Sequence, residues 1–312
     1  MEPIKDFKTL VEIAKQKGPV GIAVVAPYDI ETMLAVKDGL MNGLVKPHLF
    51  GDLNKIEPLI NEIGLNKDEI KIYDEADVSK ILDAAIESVR TGQNKLLMKG
   101  SISTPVILKA VLDKTKGLNI GRLCSHVVVC EIPDFDRMLV ISDGGLNVAP
   151  TLSEKVDIVK NAVQVAHALN IEIPKVAILA AIEEVNPSIP AATDAASLSK
   201  MAERGQIKGA IVDGPLALDN AISIKSAEKK GIKSEVAGKA DVIIVPTIEV
   251  GNALGKSLSY FAKSSNAGIV VGAKVPIILP SRSGKAEAKW GSLALGVLLI
   301  SYLREKEGID DK

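Results

Sequence analysis

The sequence predicts an α/β fold in which mostly parallel strands, covered by helices on both faces, are shared between two domains. Three observations carry that prediction. Short Val/Ile/Leu runs recur without polar alternation, as in strands buried on both sides. They alternate with longer segments of helical period, which implies right-handed crossovers between parallel strands. The chain has 312 residues and about eleven such runs, more than one ordinary domain holds.

In chain order the strand candidates are GIAVVAP (21–27), KPHLFG (46–51), IKIYD (70–74), KLLMKG (95–100), HVVVCEIP (126–133) and RMLVISDGG (137–145). KVAILAA (175–181), GAIVDG (209–214), DVIIVPT (241–247), AGIVVGA (267–273) and VPIILP (275–280) complete the set. The fifth and sixth are separated by only a few residues including Pro133 and Asp134, and read as an antiparallel hairpin. Asp29 precedes a helix running to Asn42, and Asp194 precedes one ending at Gly205. Between them, Ser153-Glu154-Lys155 opens a helix through Leu169, with Val156, Val159, Val163, Ala166 and Leu169 at spacings of three and four. From these patterns alone the domain break falls near Asn147–Thr151.

Composition excludes several classes of function. Basic and acidic residues number 38 and 39, so there is no basic field for a nucleic-acid backbone. Aromatic residues make up 3%, too few for a base-stacking platform. The first ten residues are charged and amphipathic, unlike a signal peptide, and the most apolar segment, 290–303, is shorter than the roughly 20 residues of a membrane span. We therefore expect a cytoplasmic protein with no membrane or nucleic-acid partner, and a core or interface position for 290–303. Cys124 and Cys130 lack CxxC spacing and read as buried thiols. His48, His126 and His167 show no metal-ligand spacing, so no metal site is expected.

Ligands of open α/β sheets bind beyond the carboxyl ends of the strands, where helix N-termini offer unpaired N–H groups. Four strand ends carry suitable side chains. After VPIILP come Ser281, Arg282, Ser283, Gly284 and Lys285 before a long helix, which together form an anion site. IVPTIEVGNALGKSL (244–258) approaches a P-loop, but only three residues separate Gly251 from Gly255, so phosphate wrapping fails. Close backbone approach to a ligand at Gly251, with Asn252 and Lys256 beside it, is the expectation there. Asp213 and Gly214 form a strand end with Pro215 opening a helix, and Asp143 with Asn147 marks a further Asp-Gly turn. GxSxG and GxGxxG are absent, so serine hydrolysis and dinucleotide-dependent hydride transfer lack their usual apparatus.

MKGSIST, LKAVLDK, GRLCSHVVV, VNPSIPAATDAASLSKMAERGQIKGAIVDGPLALDNAIS, EVGNALGKSLSYFAK and GAKVPIILPSRS together resemble the phosphate acetyl/butyryltransferase family, most nearly its butyryltransferase branch. The resemblance covers roughly 20–294. It implies an isocitrate/isopropylmalate dehydrogenase-like fold: two α/β domains with a cleft between them, usually in a homodimer. It also moves the domain division to 1–147 plus 276–312 for the first domain and 148–275 for the second. The implied reaction interconverts acyl-CoA plus phosphate with acyl phosphate plus CoA, with these as substrates and no cofactor. The family's Ser-Arg pair maps onto Ser281 and Arg282, the arginine for phosphate and the hydroxyl for the acyl oxyanion. Ser283, Lys285, Asp213, Gly251, Asn252, Lys256, Asp143 and Asn147 become substrate-binding candidates.

This sequence departs from the family where the acetyltransferase branch offers an Asp six residues after the Arg; here that residue is Ala288. Glu287 is the adjacent carboxylate and a candidate base, though about 100° round the helix from 288; the other account has Lys285, Arg282 and the helix N-terminus lower the CoA thiol pKa with no dedicated base. Two other readings stay open: a catalytically weakened relative that binds CoA or acyl phosphate, and a metal-dependent hydroxy-acid dehydrogenase of the same fold.

Overall fold

The computed structural model describes residues 2–279 and 286–307, the side chains of 286–289 and 307 excepted. The chain divides into two compact units, one of residues 7–122 with 267–312 and one of residues 1–6 with 123–266. The division near 147/148 and 275/276 is replaced by crossings at 122/123 and 266/267.

The first unit opens with α1 (Phe7–Lys17), β1 (Val20–Val25), α2 (Ile30–Met41), β2 (Val45–Gly51) and α3 (Leu53–Ile63). It continues through β3 (Lys71–Asp74), α4 (Val78–Arg90), β4 (Leu96–Lys99) and α5 (Thr104–Val111). Asp29, Asp52 and Asp77 cap α2, α3 and α4, each carboxylate accepting a main-chain N–H that the first turn leaves unpaired.

The second unit interrupts with β5 (Ser125–Glu131), β6 (Leu139–Ser142), α6 (Leu152–Ala168), β7 (Lys175–Leu179) and α7 (Pro190–Glu203). Then come β8 (Ile211–Leu216), α8 (Leu218–Ile222), α9 (Ile224–Lys229), β9 (Val242–Ile244) and α10 (Ile248–Tyr260). The chain returns to the first unit within β10 (Ser265–Val271), at Ala267, and continues with β11 (Ile277–Ile278) and α11 (Ala286–Glu307).

Strand order in the first unit is β3-β2-β1-β4-β11-β10, parallel except for β10, which runs antiparallel to β11. In the second it is β5-β6-β9-β7-β8, with β5 antiparallel and the rest parallel. Strand pairing explains why the first crossing falls before the β5–β6 hairpin and not after it. The family division puts that hairpin in the first domain, but β6 pairs with β9 through Val140↔Val242 to Ser142↔Ile244, which ties it to the later strands. Every strand expected from sequence has a counterpart among these eleven described strands.

Residues 291–300 of α11 are buried throughout. Glycines let this helix approach its neighbours closely: a Cβ on Gly291 would lie 3.0 Å from Phe7 of α1, and one on Gly296 3.0 Å from Ile278. No described helix is long and apolar enough to cross a membrane. The core is aliphatic, with Ile22, Leu49, Leu96, Leu97, Met98 and Ile277 at 2% exposure or less, as parallel sheets covered on both faces require.

Three local expectations change. Asp194 does not precede its helix but lies inside α7, which starts at Pro190. β8 does not end at Gly214: it runs through Pro215 to Leu216, and the next helix starts at Leu218. Gly251, Asn252 and Lys256 lie inside α10 rather than on a loop. The helix gains 13 residues of continuous pairing, and a loop one residue short of a phosphate cradle has no comparable gain.

Candidate active site

In the second unit the carboxyl ends of β6, β9, β7 and β8 lie on one edge, and the antiparallel β5 brings its amino end, with His126, to the same edge. β6 stops at Ser142, and Asp143 turns the chain. Asp143 is 2% exposed, and its two oxygens accept four N–H groups. Oδ1 takes Gly145 N at 2.8 Å and Leu146 N at 2.9 Å. Oδ2 takes Asn147 N at 3.2 Å and Asn147 Nδ2 at 2.6 Å. Asn147 Nδ2 also donates to Cys124 O at 2.9 Å, fastening the turn to the start of β5. Both groups expected to bind substrate therefore spend these atoms on shaping the turn.

The two glycines of the turn fit between other elements. A Cβ on Gly144 would lie 2.7 Å from the main-chain carbon of Gly251, and one on Gly145 2.7 Å from His126 Nδ1. A Cβ on Gly251 would in turn lie 2.6 Å from Gly144 Cα. Gly251 thus admits the protein's own backbone, where the sequence suggested a ligand. Asn252 donates to Gly144 O at 3.4 Å, and Lys256, four residues on, shares its exposed helix face. Asp143, Asn147, Gly251, Asn252 and Lys256 form one neighbourhood.

Asp213 stands apart from it. It pairs with Ala177, at the level of Ile243 and below the strand ends, and its Oδ1 accepts Gly214 N at 2.8 Å and Ser199 Oγ at 3.4 Å. His126 keeps its pKa below the ordinary 6.5 because burial disfavours its charged form; the Asp143 charge opposes that shift and is the smaller effect. Its Nδ1 is buried without a hydrogen-bond partner. Burial also raises the thiols of Cys124 and Cys130 to about 11 and about 12, consistent with inert core cysteines.

In the first unit the carboxyl edge is built from Tyr28-Asp29 after β1 and Lys99-Gly100-Ser101 after β4. Asp29 Oδ2 accepts Ser101 Oγ at 2.8 Å, and Lys99 Nζ donates to Ile102 O at 2.9 Å. A Cβ on Gly100 would lie 2.4 Å from Ala26 O, so only glycine lets β4 turn against β1 here. β11 runs parallel to β4 with Ile278↔Met98 in register, so the described part of β11 ends level with the end of β4. Ser281, Arg282, Ser283 and Lys285 lie outside the described residues, as does the side chain of Glu287; α11 begins at Ala286.

A family model described as "Phosphate acetyl/butaryl transferase" matches residues 76–297. The chain belongs to the phosphate acetyl/butyryltransferase family. That match spans the Lys99–Ser101 edge, the Asp143 turn, α10 and the Ser-Arg segment. A phosphate butyryltransferase of Clostridium acetobutylicum is 44% identical over 95% of this chain and 98% of its own length. A phosphate acetyltransferase of Thermotoga maritima is also 44% identical, over 94% of this chain and 99% of its own. Among solved structures, a branched-chain phosphotransacylase from Enterococcus faecalis superposes with a TM-score of 0.79 at 32% identity, covering 90% of this chain and 99% of its own. A putative 4-hydroxythreonine-4-phosphate dehydrogenase from Salmonella typhimurium shares the fold, with a TM-score of 0.54 at 14% identity over 92% of this chain and all of its own. The dehydrogenase-like fold expected from sequence is thus present in a phosphate acyltransferase family member.

The sequence marked Asp29 and Asp194 only as helix starts, and gave no site role to Lys99, Ser101 or Lys155. Lys99-Gly100-Ser101 was visible as a strand end carrying a cation and a hydroxyl. Lys155 and Asp194 lie 39 residues apart and meet at 2.6 Å between the N-terminal parts of α6 and α7, with the Lys155 side chain 7% exposed. No local signal foretells that ion pair.

Proposed function

We propose that this protein transfers a short acyl group between the sulfur of CoA and an oxygen of inorganic phosphate. Starting from acyl-CoA, a phosphate oxygen bonds to the acyl carbon, the C–S bond breaks, and the proton released from phosphate ends on the CoA sulfur. The observation that supports this reading is 44% identity, over nearly the whole chain, to relatives named for butyryl and for acetyl transfer. Equal identity to both leaves acyl length to the pocket, where one methylene is worth about 1–3 kcal/mol.

In this reading Arg282 holds phosphate through its planar fork, and Ser281 donates to the oxyanion that develops at the acyl carbon. Ser283, Lys285 and the N-terminus of α11 add positive potential around the transferred phosphate and the CoA thiol. Glu287 serves as the base that accepts the thiol proton. Asn252 and Lys256, on the exposed face of α10, meet polar and phosphate groups of CoA. Asp143 and Asn147 shape the turn beneath them. The protein works in the cytoplasm as a homodimer and needs no metal or organic cofactor.

The test is phosphate-dependent thiol release from acetyl-, propionyl-, butyryl- and isobutyryl-CoA. Arg282→Ala should raise the phosphate KM and lower kcat together, with Arg282→Lys restoring only part. Ser281→Ala should lower kcat by ~10²-fold. Thiol release that ignores phosphate for every acyl chain would refute the reading.

A further inference from the structure

His126 sits one step beyond the Val127↔Ser142 pair of β5 and β6, and so lies across from Asp143 at the ligand edge of the 123–266 unit. Its imidazole rests on the turn that Asp143 shapes. A Cβ added to Gly145 would lie 2.7 Å from the ring Nδ1, 3.0 Å from Cγ and 3.3 Å from Cβ, so the absence of a side chain at 145 makes room for the ring. Gly144, the preceding residue of the turn, accepts from Asn252 of α10 at 3.4 Å. His126 therefore belongs to the same neighbourhood as Asn252 and Lys256.

The two ring nitrogens differ. Nδ1 is closed to solvent and has no hydrogen-bond partner. Nε2 has no partner among the described residues either, but it is open: the residue is half-buried, and of its ring nitrogens Nδ1 alone is shut in. That difference decides where the proton of the neutral ring sits. Buried N–H groups without an acceptor are rarer than buried acceptors without a donor, and either costs free energy. The proton therefore sits on Nε2, and the lone pair faces inward at Nδ1. Burial outweighs the Asp143 charge and keeps the pKa below 6.5, so the ring is uncharged at neutral pH. Asp143 and Asn147 spend their polar atoms on the turn, whereas His126 keeps one N–H unspent at a strand-end edge.

The surroundings select the acceptor. The Asp143 carboxylate is close enough to act on the imidazole, so a phosphate group at Nε2 would meet a like charge; an uncharged carbonyl oxygen would not. We infer that His126 Nε2 donates a hydrogen bond to a carbonyl oxygen of acyl-CoA and seats that part of the substrate on the Asp143 turn. The inference rests on the acyl-transfer reading, which supplies acyl-CoA as the ligand, and adds to it a substrate-binding donor in the 123–266 unit. Acyl-CoA offers such oxygens at its thioester and at its pantetheine amides. Free CoA has only the amides, so comparing the two ligands tells the sources apart.

Calorimetric titration of the full-length protein with butyryl-CoA and with CoA, without phosphate so that nothing turns over, tests this on the parent, His126→Phe and His126→Gln. Phenylalanine keeps a ring over Gly145 and removes both nitrogens. Because Nδ1 has no partner to lose, this variant should melt at or above the parental temperature. It should still bind butyryl-CoA about tenfold more weakly, with the phosphate KM of thiol release unchanged. Glutamine, whose amide nitrogen reaches about as far as Nε2, should restore most of the affinity. Weakening for butyryl-CoA alone assigns the bond to the thioester carbonyl, and equal weakening for CoA assigns it to an amide. In the parent, proton–nitrogen correlation spectra should place the ring proton on Nε2 and move that signal on saturation with butyryl-CoA, a measurement that stands even where the phenylalanine variant does not fold. A proton on Nδ1, or parental butyryl-CoA affinity in a folded phenylalanine variant, would overturn the inference and leave acyl transfer standing. A parent that binds neither butyryl-CoA nor CoA would overturn the acyl-transfer reading, and this inference with it.

Discussion

Replacing Asp143 tests how the ligand edge of the 123–266 unit is built. Its carboxylate, 2% exposed, accepts four N–H groups at 2.6–3.2 Å, three of them from the main chain of the turn it controls. A hydrogen bond to a charged acceptor contributes about 1.5–3 kcal/mol net, and bonds sharing one acceptor do not add fully. Asp143→Ala should therefore cost ~3–6 kcal/mol, a large share of a domain stability of ~5–15 kcal/mol. Asp143→Asn is the more discriminating variant. An amide has one acceptor oxygen, so whichever way it turns, its NH2 faces two donors and two of the four bonds are lost. The expected cost is about half that of the alanine variant, ~2–3 kcal/mol. Urea denaturation followed by circular dichroism should order the midpoints alanine, asparagine, parent, from lowest to highest. Asn147→Ala removes the bonds to Oδ2 and Cys124 O from the other side and should be non-additive with Asp143→Asn. An Asp143→Asn protein with the parental midpoint would refute the account, because two of the four bonds would then contribute nothing.

Gly144→Ala and Gly251→Ala each place a methyl under 3 Å from main-chain atoms, so α10 must shift; each should destabilise by ~1–3 kcal/mol, measured by thermal melting. His48 and His126 both hold pKa values below 6.5, chiefly through burial, so the unfolded chain takes up these protons at higher pH than the folded one. Their contribution to stability is complete above about pH 6.5 and is lost as pH falls through their lowered native values; glutamine at either position should flatten a plot of melting temperature against pH over that range. With thiols at about 11 and about 12, Cys124 and Cys130 should resist iodoacetamide at neutral pH in the native protein and react after denaturation, as counted by mass spectrometry.

The regular elements were legible because their causes are local. Asp29 caps α2 where the sequence placed a helix start, and Thr151 with Glu154 closes a reciprocal cap at α6. Errors arose where tertiary structure overrode local punctuation. Pro215 looked like a helix opener, yet it sits in β8, whose pairing with β7 continues past a register shift to Leu179↔Leu216. Gly251 looked like a loop glycine because the neighbouring Gly255 and Lys256 echo a phosphate-binding motif; its close neighbour is Gly144, more than a hundred residues earlier. The Asp143 turn was found from its Asp-Gly signature, but the four bonds that spend its carboxylate on the chain itself depend on three-dimensional closure. The domain division was misplaced for the same reason, since the hairpin's allegiance is decided by β9, about a hundred residues downstream.

The nesting of one unit inside the other sets an order of assembly during synthesis. The inner unit is contiguous from 123 to 266 apart from a six-residue strap, so all of its strands have left the ribosome before the outer unit is complete. The outer unit waits. Leu96, Leu97 and Met98, each at 1% exposure or less when folded, have no β11 beside them, and Phe7 and Gly39 have no α11 against them, until those two elements are made. The half translated first is thus the half that closes last, by contacts spanning nearly the whole length of the chain, the kind that slow folding most. A chain released early near residue 266 would carry a finished inner unit and an outer one with its central strand exposed, a ready substrate for chaperones and for edge-to-edge association.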